Sequence, residues 1–235
     1  MKLYTKFSRF YDRLYSGKNY GMEVEFILEV FKRLFEKKAE KVIDFGCGTG
    51  KHVDEFSRRG LEAIGVEKEI EMLRFAEGRE GSFVEGDFRE LKVEGDADIV
   101  VSLFSTIQHI KKEEIEETLR KFCKQLGDEG LCVLDIHNIE RRETFVKTLL
   151  HEGAKVAKTS TWRLVSPDEI VVETAWLVDD GELDFDVDEL RLARVLPGEM
   201  EEMAKRAGFR EVKKFGGWKG QPITGEGKYI MFLVK

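Results

Sequence analysis

The sequence predicts an α/β fold, a mostly parallel sheet with helices on both faces and a late block of antiparallel strands. Three observations carry this. Up to about residue 150, short apolar runs alternate with segments of helical periodicity through five successive units, the pattern of strands joined by crossover helices. From 156 to 195 the pattern changes to alternating, β-rich runs separated by turn sequences. At 41–52 (KVIDFGCGTGKH) an apolar strand stops in Gly46, Gly48 and Gly50 and restarts as a helix. Such a junction brings backbone N–H groups and a positive helix end to one edge of the sheet, so a ligand site is expected there.

In chain order, Phe7, Phe10, Tyr11, Leu14 and Tyr15 share one helical face, which predicts a short N-terminal helix ending at Ser16-Gly17. That face either packs on the core or serves as a lid over a ligand. The next helix, 22–38, places Val24, Ile27, Leu28, Phe31, Leu34 and Phe35 at i, i+3, i+4 and i+7 spacing. Strands are expected at 41–45, 61–66 (ending in Glu67), 82–84, 97–103 and 131–136. Helices are expected after the glycines, at 70–77, at 113–126 (closed by Gly127) and from an Asn138 cap to Leu150. Three antiparallel strands, 156–165, 169–178 and 182–195, are separated by Ser166-Pro167-Asp168 and Asp179-Asp180-Gly181, with Asp184, Asp186 and Asp188 on an outer face. Pro197-Gly198 opens a helix to Ala207, and strands at 212–215 and 228–234 finish the main sheet.

The composition narrows the function classes. With 42% hydrophobic residues in 235, the chain can bury a full core, and no apolar run is long enough to cross a membrane. The N-terminus lacks the apolar stretch of a signal peptide. A net charge of −7 gives no global positive field, so nucleic acid is an unlikely partner. Cys47, Cys123 and Cys132 are too few and too scattered for a disulfide framework or a zinc site, which predicts a reduced, cytoplasmic chain without metal. Many Lys and Glu beside few Asn and Gln match thermophile composition.

The glycine spacing is G-x-G-x-G. A dinucleotide turn needs G-x-G-x-x-G, whose third glycine would fall at Lys51, and no Lys-Ser or Lys-Thr is placed to make a Walker A loop. The pattern resembles motif I of the class I S-adenosylmethionine-dependent methyltransferases, and the resemblance extends over 20–150 and 197–235. Asp44 stands where that family keeps an acidic residue near the sulfonium and amino end of the cofactor. Glu67 stands where its acidic residue accepts both ribose hydroxyls, a task suited to two carboxylate oxygens. Asp87-Phe88 matches the adenine loop, and Leu103-Phe104-Ser105-Thr106 ends the fourth strand on the methionine side. The resemblance implies a Rossmann-like seven-stranded sheet in the order 3-2-1-4-5-7-6, its last strand antiparallel. It implies S-adenosyl-L-methionine as cofactor, held also by Tyr11, Tyr20, Gly46, Cys47, Gly48, Thr49, Gly50, His52, Lys68 and Met72. The segments FYDRLYSGKNYGMEVEFI and LFSTIQHI and the β-rich insertion further resemble small-molecule methyltransferases, notably the deoxyamino-sugar N-methyltransferases and glycine-N-methyltransferase-like enzymes. The implied organisation is a lid helix over 1–20, a cofactor domain over 21–154 and 196–235, and an insertion over 155–195 that covers the acceptor or forms a homodimer contact.

Methyl transfer from a sulfonium is an in-line displacement whose leaving group needs no proton, so no nucleophilic side chain is required. Cys47 reads as a small cofactor-facing residue. An ammonium acceptor must lose a proton first, which makes His137, just past the fifth strand, and then His109 the candidate general bases. Tyr11, Tyr20 and Tyr15 are candidates for cation–π contact with the sulfonium. The expected acceptor is a small molecule, most readily an amine. Two alternatives are a non-catalytic cofactor-binding protein and an RNA or protein methyltransferase. The latter usually carries Asn/Asp-Pro-Pro-aromatic where this chain has Leu103-Phe104-Ser105-Thr106.

Overall fold

The computed structural model describes residues 1–140, 142–223 and 227–235. Its main sheet contains β1 (Lys41–Phe45), β2 (Glu62–Glu67), β3 (Ser82–Glu85), β4 (Ala97–Ser102), β5 (Leu126–Asn138), β10 (Glu211–Phe215) and β11 (Gly227–Val234), ordered β10-β11-β5-β4-β1-β2-β3. β11 runs antiparallel to β5, whereas β1 pairs in parallel with β2 and β4. This is the expected topology. Alternation along each strand feeds two cores. Val42, Ile99, Val101, Leu131 and Val133 face helices α2 (Tyr20–Phe35) and α3 (Lys51–Ser57), while Ile43, Phe45, Val100, Cys132 and Leu134 face α5 (Lys112–Gln125) and α6 (Pro197–Ala207). Phe45 stacks on Phe122 of α5 at 4.8 Å with the rings nearly parallel. α2 starts two residues earlier than its periodicity suggests because the Asn19 side chain caps it, accepting from the Met22 N–H at 2.9 Å. α4 is short (Ile70–Leu73) and continues as a 3-10 turn, and α5 passes into β5 at Leu126 without a glycine stop.

Three expectations are corrected. The helix from Asn138 to Leu150 does not form: β5 continues to Asn138, and Glu143–His151 is a strand, β6. β6 joins β7 (Ala154–Ser166), β8 (Glu169–Asp179) and β9 (Leu183–Ala193) in a four-stranded antiparallel sheet, so the extra sheet has four strands and not three. Thr144, Phe145, Val146 and Thr148 favour a strand, and Glu152-Gly153, both at positive φ, make the two-residue turn that pairs His151 with Ala154. Second, the N-terminal segment is not one helix but two 3-10 turns, Lys2–Tyr4 and Ser8–Phe10, followed by α1 (Tyr11–Leu14). Its apolar side chains still pack inward, with Leu3, Phe7, Phe10 and Leu14 against Met72, Val156 and Trp176; Phe7 stacks on Trp176 at 4.5 Å. Third, the acidic row of β9 does not face outward. Asp186 pairs with Lys2 and Lys6, and Asp184 with Lys6, so these carboxylates hold the N-terminal segment down. The outward row is apolar, with Leu183, Phe185 and Val187 exposed.

Candidate active site

Because β1, β2, β3 and β4 are parallel, their C-terminal ends deliver Gly46–Gly50, Glu67, Asp87 and Phe104 to one edge of the sheet. The turn after β1 crosses the end of β2, with Gly46 and Cys47 N–H donating to the Val66 carbonyl at 2.7 and 3.1 Å. Gly46 has φ +81°, and a Cβ there would stand 2.3 Å from Thr106 Cγ2, so only glycine fits. Glu67 is fixed by three backbone donors: Gly48 N–H to Oε2 at 2.9 Å, and Lys68 and Glu69 N–H to Oε1 at 2.9 and 3.0 Å. Burial raises its pKa while those N–H groups oppose the rise. Three of its roughly four acceptor sites are thus used, and the residue lines a cavity.

That cavity is lined by most of the residues expected from sequence: Tyr11, Tyr20, Asp44, Gly46, Cys47, Gly48, Thr49, His52, Glu67, Lys68, Met72, Asp87, Phe88, Leu103, Phe104 and His109. Asp44 is 2% exposed, and burial beside Glu67 pushes its carboxyl up to about 8. Asp87 is gripped by Arg89 through Nε and Nη2, which holds its pKa below the usual carboxylate range. Burial keeps Tyr4, Tyr11 and Tyr20 protonated, and lifts the Cys47 thiol well above its ordinary value, so it is no nucleophile. His52 is tied to Glu23 at 2.9 Å and has its pKa lowered by burial. The N-terminal segment closes over the turn through Asp12, whose carboxylate accepts from Thr49 Oγ1 at 2.6 Å and pairs with Arg79.

Four of the expected residues lie off the cavity, the first being Tyr15, whose ring packs 4.9 Å from both Tyr11 and Phe104. Gly50 is glycine for packing: at φ +79°, a Cβ would come 2.4 Å from the Phe83 ring. Ser105, also left-handed at φ 63°, caps the 3-10 turn Thr106–His109. His137 sits behind the wall, its backbone N–H donating to Gln108 Oε1 at 2.6 Å and its ring 5.0 Å from Trp162. Thr106 lines the cavity as expected, whereas sequence reasoning missed Tyr4, Lys18, Lys51, Glu69, Arg89, Ile110 and Leu190, which also line it, along with Met1. Arg89 was legible as a partner two residues past Asp87; Tyr4 and Leu190 carry no local signal. Among the described residues no His, Cys, Asp and Glu side chains group to hold a metal, and no helix is long and apolar enough to cross a membrane.

Buried carboxylates among aromatic rings suit a ligand that is cationic at one end and hydroxylated at the other. Comparisons with known proteins agree. Residues 42–130 match the family described as Methyltransferase domain. YqeM of Bacillus subtilis, which bears a methyltransferase name, is 27% identical over 88% of this chain and 87% of its own. The dTDP-3-amino-3,4,6-trideoxy-alpha-D-glucopyranose N,N-dimethyltransferase of Streptomyces venezuelae is 29% identical, the match spanning 53% of this chain and 54% of that one. Among solved structures, DesVI of Streptomyces venezuelae superposes with a TM-score of 0.81 at 23% identity, covering 95% of this chain and 97% of DesVI. S-adenosylmethionine-bound CalS10, an amino pentose methyltransferase of Micromonospora echinaspora, gives 0.77 at 22% identity over 93% of each chain.

Proposed function

We propose that this chain is a class I S-adenosylmethionine-dependent methyltransferase that methylates an amine nitrogen of a small molecule inside a site closed by its N-terminal segment. The observation that carries the reading is that a buried Asp44 and a Glu67 fixed by three N–H groups line one cavity. An α-ammonium would add to the pull of Lys18 on Asp44, and Glu67 keeps acceptor capacity for a ribose hydroxyl beyond its three backbone donors. Lys68, Met72, Asp87 and Phe88 would border the adenine, while Gly46, Leu103, Phe104, Tyr11 and Tyr20 would border the methionine end. Bound S-adenosylmethionine supplies a methyl group on a sulfonium, whose departure as a thioether needs no proton.

The chain's part is alignment and exclusion of water, which can supply roughly 7–11 kcal/mol of barrier reduction at best. Asp12 and the β9 aspartates fasten the lid, and Tyr4 and Tyr11 cover the cavity. His109, which lines the cavity as His52 does, lies 5.7 Å from the Tyr4 ring, and burial pulls its pKa down to about 4. It therefore stays neutral at working pH and accepts a hydrogen bond from an amine without holding the proton. The acceptor must arrive as the free amine. Accordingly, kcat/KM should rise with pH along the acceptor's own ammonium titration and show no histidine limb between pH 6 and 9. His109→Ala should lower kcat/KM about tenfold, the size of one hydrogen bond, and His137→Ala should leave it within about twofold. Steady-state rates across that pH range check both. The relative named as an amino-sugar N,N-dimethyltransferase supports nitrogen as the acceptor atom. The test is calorimetric titration with S-adenosylhomocysteine followed by labelled methyl transfer into amine mixtures; absence of binding would defeat the reading at its first step.

A homodimer formed by pairing the outer faces of the β6–β9 sheets is supported by their apolar rows. Val187 lines up across the ladder with Ala175 and Val146, and Phe185 with Leu177, while Leu183 is 73% and Phe185 66% exposed. Phe185→Lys should shift the protein from dimer to monomer by light scattering, with cofactor affinity retained. A wild-type monomer at high concentration contradicts this.

A further inference from the structure

A second cavity lies on the far side of Phe104, lined by Tyr15, Lys18, Glu23, Lys147, Trp218 and Lys228. Phe104 and Lys18 border both cavities and so form the wall between them. Three ammonium groups meet here, and two are matched. Lys18 Nζ donates to both oxygens of Glu23 at 2.6 and 2.5 Å, and Lys228 Nζ lies 2.7 Å from Asp135 Oδ2. Lys147 is different: its Nζ donates to the Leu14 carbonyl at 2.7 Å and sits 4.2 Å from the centre of the Tyr15 ring, with no carboxylate paired to it among the described residues.

Directly across the β6–β7 ladder from Lys147 is Lys158, another lysine, only 7% exposed and 5.5 Å from the Trp176 ring. Like charges opposed on a ladder are destabilising, more so where water is scarce. Desolvation lowers the pKa of both, and Lys147 adds to the lowering at Lys158. Among the described residues, the Lys147 ammonium faces this cavity from the extra sheet with no carboxylate paired to it. The indole N–H of Trp218, on a residue of the same wall, is buried without an acceptor among the described residues. A lysine with no carboxylate paired to it among the described residues is satisfied by an oxyanion.

We propose that the cavity behind Phe104 is an anion subsite, with Lys147 as its main contact, that takes the carboxylate or phosphate of the methyl acceptor. The acceptor is then an amine that also bears an acidic group, held with its acid beyond the Lys18–Phe104 wall and its amine toward the cofactor cavity. The identity of the occupant rests on the methyl-transfer reading; the anion site does not. The full chain, without cofactor, is titrated with inorganic phosphate and separately with acetate at constant ionic strength, following tryptophan fluorescence and melting temperature. Saturable binding is expected, weakened tenfold or more in Lys147→Met and in Lys147→Gln, and unchanged in the exposed control Lys92→Met. Saturation by phosphate alone assigns a phosphoryl group, by acetate alone a carboxylate, and by both an oxyanion site that accepts either. Saturation by neither, or equal binding by wild type and both Lys147 variants, overturns the proposal. If S-adenosylhomocysteine still binds in that case, the subsite fails and the methyl-transfer reading stands.

Discussion

Glu67→Gln is expected to weaken S-adenosylhomocysteine binding by about a hundredfold or more while leaving the fold intact. Both carboxylate oxygens are committed to backbone donors, Oε2 to Gly48 and Oε1 to Lys68 and Glu69. An amide has one oxygen, so its NH2 group must point at an N–H whichever way it is turned. The turn that presents Gly48 then loses its anchor, and the ribose loses an ionised acceptor at the same time. Hydrogen bonds to charged groups contribute about 1.5–3 kcal/mol each, and a hundredfold change corresponds to about 2.8 kcal/mol, so the loss of one or two such bonds accounts for it. The substitution removes no apolar packing, so the melting temperature should fall only by the several degrees that the backbone bond lost at the turn accounts for. Calorimetry at fixed pH provides the check; near-wild-type affinity would mean that Glu67 only props the turn.

The second large effect is proton linkage through Asp44. Burial and the neighbouring Glu67 push its carboxyl up to about 8 against the opposing pull of Lys18, so the protonated form prevails at neutral pH. A bound α-ammonium favours the ionised form and lowers that pKa, so binding releases a proton. A ligand that lowers a pKa binds more tightly as pH rises, and affinity should increase by up to about tenfold per pH unit from pH 6 to 8 before levelling. The heat of binding at pH 7 should vary with buffer ionisation enthalpy, reporting close to one proton released. Asp44→Asn should abolish that dependence and bind more weakly above pH 8. The same raised pKa makes the ligand-free fold less stable as pH climbs toward 8, because the unfolded chain ionises at lower pH.

The sequence disclosed the parts of this site that are set locally. Gly46, Glu67, Asp87 and Phe104 each terminate a strand, so order along the chain already places them side by side once the sheet is parallel. Gly50 was legible as a glycine requirement but not for its cause, which is the Phe83 ring brought in by β3. Residues that reach the site by long-range closure gave no such sign. Tyr4 arrives because Lys2 and Lys6 are drawn to the β9 aspartates, a pairing between opposite ends of the chain. The same pairing decides which face of β9 turns inward, and period-2 alternation alone leaves that choice open. β6 was hidden by a plausible Asn138 cap, whereas the deciding signal was the Glu152-Gly153 turn. His137 and His109 lie equally near strand ends, and only the path of the 3-10 turn after β4 puts one on the cavity and the other behind it.

Incubating the protein with methyl-labelled S-adenosylmethionine and a mixture of small amines, with and without acidic groups, tests the central claim most directly. Label is expected on nitrogen of a small molecule, with equimolar S-adenosylhomocysteine formed and with Glu67→Gln inactive at cofactor concentrations that saturate the wild type. Label appearing only in RNA or protein, or tight cofactor binding with no transfer to any amine, would contradict it.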